Sequence, residues 1–320
     1  MNGCEGKLVE LWIGLTVMAA LMQSIRTAGQ KQLAHGLSSA GAAVVRYLYG
    51  LPFVALYLFW LVYWQSGAPG VLPEGNTRFY LFALLASIAQ LIATALMVWL
   101  FRFRNFAIGS MYVKTEALMA ALLGVVLFSE TLSIIGWFSI LLGALGIVLI
   151  SSRAGLVAAD SHTQSIGQKL SQLLFNPAAG VGLLAGGLFA LTSLFLRQAS
   201  LTLESDFQLS AAFTLAVMVL MQTLTGVVYL ALRSDQDWRA MALQHRTCFF
   251  VGLTSVLGSV GWFTAMTLQP VAYVKAVGQI EFIFTLAIAV LFFRERLTAR
   301  EILGMLVIIA GVLLLLLAGH

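Results

Sequence analysis

Charged residues are scarce in this chain. Asp, Glu, Lys and Arg together make up 10% of its 320 residues, against about 25% in an ordinary soluble domain. With 60% of residues hydrophobic, that scarcity excludes a soluble globular domain, a disordered chain and a nucleic-acid binder. The formal charge is +5, but the basic residues fall mostly between apolar runs, where they act as orientation signals. Cysteine is almost absent: Cys4 and Cys248 are too few for a disulfide framework, and no Cys/His cluster has metal-ligand spacing. None of His35, His162, His245 and His320 lies inside an apolar run, and HExxH, DDxxD and GxSxG are missing. An intramembrane enzyme needs such acid–base or metal geometry, so catalysis is disfavoured. No phosphate loop or dinucleotide fingerprint is present either, so neither ATP hydrolysis nor a cofactor is expected.

What the chain has in abundance is long apolar runs. A bilayer core of about 30 Å takes about 20 apolar residues per helix. Ten runs of that kind are read at 9–27, 42–64, 79–100, 106–128, 134–151, 178–197, 207–232, 249–268, 271–293 and 302–318. They are continuous rather than alternating, which argues against a membrane barrel. A segment in lipid must satisfy its own backbone, so each run is predicted to be a helix. The first run is long for a signal peptide and lacks a convincing cleavage site, so it is expected to be retained. The polar stretch 153–177, with Asp160, Ser161, His162 and Asn176-Pro177, reads as a linker between a first unit, 1–152, and a second, 178–320.

Each unit holds five runs, and the last two of each match. A shift of 165 places Ala107 on Ala272, Glu116 on Glu281, Glu130 on Glu295, Leu132 on Leu297 and Gly146 on Gly311. An odd number of crossings forces the second unit to insert upside down. Inverted repeats are the architecture of secondary transporters, with the site near mid-membrane where the halves meet. This arrangement, with Phe128-x-Glu130-x-Leu132 repeated as Phe293-x-Glu295-x-Leu297 before a glycine-containing last helix, resembles the drug/metabolite transporter superfamily, in its bacterial EamA-like ten-helix branch. The resemblance implies an all-α membrane protein of two inverted five-helix repeats, a bacterial inner-membrane location, and export of a small metabolite. It leaves the cargo open, since members carry amino acids, metabolites, drugs, sugar phosphates and nucleotide sugars. No feature specifies an oligomer.

Charge inside the runs points to the site, because an ionisable group at the bilayer centre is costly. Glu116 and Glu281 each fall about ten residues into a run, and at about 1.5 Å per residue both come near mid-depth. A carboxylate buried in low dielectric titrates higher than usual, so this pair is expected to bind a proton or a cationic group of the cargo. The alternative is a structural ion pair with a neighbouring cation. Lys114 and Glu116 are two residues apart, and Lys275 and Glu281 six, so partners within one helix are excluded. Arg46 and Lys275 lie near the ends of their runs and fit either a site or snorkelling to the interface. Three cations against two acids favour an anionic or zwitterionic cargo. An exporter of organic cations, built on the glutamates and aromatic faces, is the alternative within the same fold. Gln23, Gln90, Trp99, Tyr112, Trp262, Tyr273 and Gln279 complete the expected cavity. Trp12, Trp60 and Trp64 read as interface anchors, and Gly258 and Gly261 as packing or hinge positions.

Orientation follows from the basic residues. Arg46, Lys114 and Lys275 fall inside runs, and Lys7, Arg78 and Arg197 on one side. The other twelve, Arg26 among them, fall on the opposite side. That imbalance puts the twelve in the cytoplasm and both termini outside. The family resemblance implies both termini inside.

Overall fold

The computed structural model describes all residues except 1, 34–35, 66–69, 101–112, 114, 159–176, 234, 294–298 and 319–320. Among the described residues the regular structure is helical: α1 (Asn2–Leu33), α2 (Ser39–Leu48), α3 (Leu51–Trp60) with a π turn at Leu61–Gln65, and α4 (Thr77–Leu100). There follow α5 (Glu116–Phe128), α6 (Ile134–Ala158), α7 (Pro177–Leu201), α8 (Phe207–Arg233) and α9 (Asp235–Leu243). The chain ends with α10 (His245–Leu268), α11 (Val271–Gly278), α12 (Glu281–Phe293) and α13 (Ala299–Ala318). Seven segments are long and apolar enough to cross a membrane, and three apolar helices are shorter: Glu116–Phe128, Ile134–Gly146 and Ile302–Leu317. The expected linker 153–177 lies mostly outside the described residues, and α6 reaches into its start, at Ala158.

Burial runs opposite to a soluble protein. Leu84, Ile88 and Ile92 on α4, and Leu220, Leu224 and Val228 on α8, recur every four residues and are all exposed. Such spacing puts each trio on one helix face, which lipid covers. Small residues line the seams between helices instead. A Cβ on Gly261 would fall 2.6 Å from the Leu15 carbonyl oxygen, which lets α10 lie against α1. Gly146 and Gly311 bring α6 and α13 together in the same way, against the Gly304 and Ser139 carbonyls. Gly261 therefore serves packing, whereas a Cβ on Gly258 would meet α1 at ordinary contact distance. Trp12 is buried in the core rather than anchored at an interface, whereas Trp60 and Trp64 are exposed.

The helix partners obey the repeat. The most extensive pairings are α6 with α13, α4 with α7, and α1 with α10. Exchanging the halves turns α1 into α7 and α10 into α4, so α1·α10 and α4·α7 are the same contact made twice. The α6·α13 seam maps onto itself. Both halves thus share one interface, and the core residues of each come from both.

Two expected continuous helices are broken. The run 42–64 splits between α2 and α3 at Tyr49–Gly50, where Pro52 in the first turn of α3 has no amide hydrogen to offer the preceding turn. The run 271–293 splits between α11 and α12. There Gln279, Ile280, Phe282 and Ile283 bond three residues back, a tightened turn that stops the α-helical ladder. Gly278 precedes the break, and the Trp262 ring occupies the place a side chain there would take.

Candidate functional site

The breaks place charge at helix ends. Glu116 opens α5 and Glu281 opens α12, where exposed amide groups and the helix dipole favour a carboxylate. Arg46 lies in the last turn of α2 and Lys275 in the last turn of α11, where the dipole favours a cation. Discontinuous helices with their ends turned to a central site are how membrane transporters hold polar cargo.

These ends meet around a cavity of about 220 Å³. The first half contributes Gln23, Arg26, Arg46, Gln90 and Glu116, and the second Ser193, Trp262, Lys275 and Glu281. Apolar walls come from Met97, Leu100, Phe189, Leu196, Phe263 and Met266. Lys275 Nζ sits 2.5 Å from Glu116 Oε1, an ion pair between the two halves. The same ammonium lies 4.7 Å from the centre of the Trp262 ring, so that aromatic face is already occupied by a cation. The Ser193 hydroxyl donates to Glu116 at 3.5 Å, at the long limit of a hydrogen bond. Gln23 donates through Nε2 to Glu281 at 2.7 Å and accepts the Trp262 indole N–H at 3.0 Å. Gln90 accepts from Gln222 at 2.7 Å. Arg46 is buried, donates to the Thr94 hydroxyl at 3.3 Å and lies over the Tyr47 ring.

Of the residues expected from sequence, Gln23, Arg46, Gln90, Glu116, Trp262, Lys275 and Glu281 converge on this cavity. Lys114 and Tyr112 lie outside the described residues. Three others sit apart from the main cavity. Gln279 presses its amide into the space left by Gly143 on α6, and joins only a small recess beside Glu281. Tyr273 accepts the Ser133 amide N–H at 3.1 Å, tying α11 to the start of α6. Trp99 is exposed at the end of α4.

Two arginines that sequence placed outside the membrane lie within helices, Arg26 buried and Arg197 half-buried. Arg26, on α1, lines the cavity and is 5% exposed. It falls one residue before the end expected for the first run, at Thr27; the helix continues to Leu33. Arg197, near the end of α7, donates through Nη1 to the Met266 carbonyl, to that of Gln269 at 2.6 Å and to that of Thr267 at 3.3 Å. These are carbonyls that the end of α10 leaves without helical partners. Arg197 Nε also faces Glu130 Oε1 at 3.5 Å, across the α5–α6 loop. That contact is coulombic: neither Glu130 oxygen has a hydrogen bond. Burial holds the Glu130 carboxyl above the usual carboxylate range, and Arg197 only partly opposes this. Because Leu196 and Met266 line the cavity, Arg197 closes the layer directly beneath it.

Two helical repeats, lipid-facing apolar stripes and a charged cavity between the halves define an integral membrane protein of the transporter type. The chain belongs to the EamA-like transporter family, whose model matches residues 10–152 and again 176–317; this is the drug/metabolite transporter superfamily. Solved structures share the fold: 28 chains match. One, described only as a crystal structure of a protein, superposes with a TM-score of 0.65 at 13% identity, over 96% of this chain and 97% of its own. No curated protein matches.

Proposed function

We propose that this protein is a secondary active exporter of a small anionic or zwitterionic organic metabolite, such as an amino acid or organic acid. It would work by alternating access of two inverted five-helix units, 1–152 and 178–320, with ten crossings in a bacterial inner membrane. One observation carries the cargo class. The described cavity residues bring three cations, Arg26, Arg46 and Lys275, against two acids, Glu116 and Glu281.

The cavity also argues for size. At about 220 Å³ it falls below the roughly 300–1,000 Å³ of drug-sized pockets. The organic-cation alternative is weakened further. Lys275 already occupies Glu116 and the face of Trp262, two of the groups a foreign cation would seek. Protons are the proposed coupling ion, taken up at Glu116 or Glu281, each fixed at a helix start facing the cavity.

The test is thermal stabilisation of the purified protein by a panel of anionic, zwitterionic and cationic metabolites. A ligand that binds only the folded state raises apparent stability by mass action. Stabilisation by acids or amino acids is expected. Stabilisation by organic cations alone would overturn the cargo class.

A further inference from the structure

We infer that Arg26 and Arg46 together form the anion-binding subsite of this cavity, and that it takes the carboxylate of a monocarboxylic cargo. The inference rests on the transporter reading above and deepens it.

The argument starts from an imbalance between the cavity's cations. Lys275 is neutralised by Glu116 in direct contact. Arg26 and Arg46 have no such partner. Each is 5% exposed, and neither has an ion pair among the described residues. The Nε of each is buried without a hydrogen-bond acceptor. Arg46 has only the Thr94 hydroxyl and the adjacent Tyr47 ring, and Arg26 has no hydrogen bond at all among the described residues. Arg26 feels the repulsion of Arg46 as well as the attraction of Glu281 and Glu116, neither of which makes an ion pair with it. Two like charges held together out of water are unfavourable unless something of opposite charge joins them.

The cavity's own acids do not fill that role. Glu116 is held by Lys275, and Glu281 by Gln23 and the start of α12. The space beside the arginines is open to the cavity they both line. A guanidinium presents planar paired donors that match a carboxylate in two-point contact, and a second guanidinium completes its remaining lone pairs. Charge favours a monoanion: one negative charge neutralises the excess of three cations over two acids among the described cavity residues. A dianionic phosphate would exceed that single excess charge. The apolar wall of Phe189, Leu196, Phe263 and Met266 suits the organic body that a carboxylate carries and inorganic phosphate lacks.

The experiment uses the purified full-length protein and follows its thermal unfolding with paired probes: short aliphatic and aromatic carboxylates, their neutral amides, and inorganic phosphate. Wild type is expected to be stabilised by carboxylates and not by the matching amides. In Arg26→Gln the carboxylate Kd should weaken at least tenfold while the ligand-free protein melts at the same or a higher temperature, since an unpaired buried charge has been removed. Arg46→Gln should weaken the same probes, and Arg26→Lys should fall between. If carboxylates stabilise wild type and both glutamine variants equally, the subsite assignment fails and the transporter reading stands. If phosphate stabilises more strongly than any carboxylate through Arg26, the monocarboxylate assignment fails. If only organic cations stabilise wild type, both readings fall together. A lowered ligand-free melting temperature in Arg26→Gln with unchanged carboxylate affinity would make Arg26 structural and overturn the assignment.

Discussion

Arg197 is the place where one substitution should change the state of the whole molecule. It joins three partners that must separate if the layer beneath the cavity is to open: the end of α10, the α5–α6 loop and α7 itself. Arg197→Gln removes the charge-assisted bonds to the carbonyls of Met266 and Gln269 and leaves Glu130 buried without its cation. Breaking a buried pair by removing one partner costs about 3–5 kcal/mol. Because those contacts exist only when this face is closed, the cost falls on the closed state. At about 1.4 kcal/mol per decade, the ratio of open to closed should shift by about two to three and a half decades. A minor state populated at about 0.1–10% would then rival the major one. The reporter is Ser200→Cys, in a background lacking Cys4 and Cys248. Ser200 is buried in this layer, with its Oγ 2.7 Å from that of Thr267. A polar maleimide in detergent solution should label this thiol at least tenfold faster with Arg197→Gln than without it. Arg197→Lys should give an intermediate rate, since an ammonium is a point charge without the planar fork that spans carbonyls and carboxylate together. If Arg197→Gln lowers the melting temperature but leaves labelling unchanged, Arg197 holds the fold and not the closed face, and the reasoning fails.

Three further outcomes follow from the same geometry. Glu130 is held above its unfolded carboxyl value, so its contribution to stability is full below that value and is lost as pH rises through the folded one. Melting temperature measured from pH 4 to 8 should therefore fall less with rising pH in Glu130→Gln than in wild type; parallel profiles would remove Glu130 from the linkage. The Lys275–Glu116 pair predicts that Lys275→Met and Glu116→Gln are each destabilising, by about 3 kcal/mol, and that the double variant recovers much of the loss. Additive losses would mean the two act independently. With Arg26 and Arg197 counted within helices, eleven basic residues remain on one face against two on the other. A reporter fused after His320 should then read periplasmic, and a cytoplasmic reading would reverse the orientation.

How far the sequence disclosed this molecule depends on what each signal measures. The repeat was legible because Glu116/Glu281 and Gly146/Gly311 recur at one offset, and the structure repeats the same helix contact twice, as α1·α10 and α4·α7. The glutamates were legible because charge in an apolar run is rare. Helix breaks were not read, although Gly50-Leu51-Pro52 and Gly278-Gln279 carry the local signal for them. Hydropathy averages over some 20 residues and cannot register a two-residue turn, so Glu281 looked like the middle of a helix when it is a beginning. Tyr273 and Gln279 were drawn into the expected site by register alone; their side chains turn to Ser133 and Gly143 instead. The arginines show the deeper limit. Arg26 and Arg197 both lie toward the end of the first helix of their half, in Ile25-Arg26-Thr27-Ala28 and Leu196-Arg197-Gln198-Ala199, and a reading by composition assigns both to loops. In the fold they part company. Arg197 is joined to three carbonyls and a carboxylate, while Arg26 faces the cavity with no hydrogen bond among the described residues. The shift of 165 that aligns the halves carries Arg26 to Leu191 and not to Arg197, so the two arginines are not repeat equivalents, and the contacts each meets in the fold are what separate them.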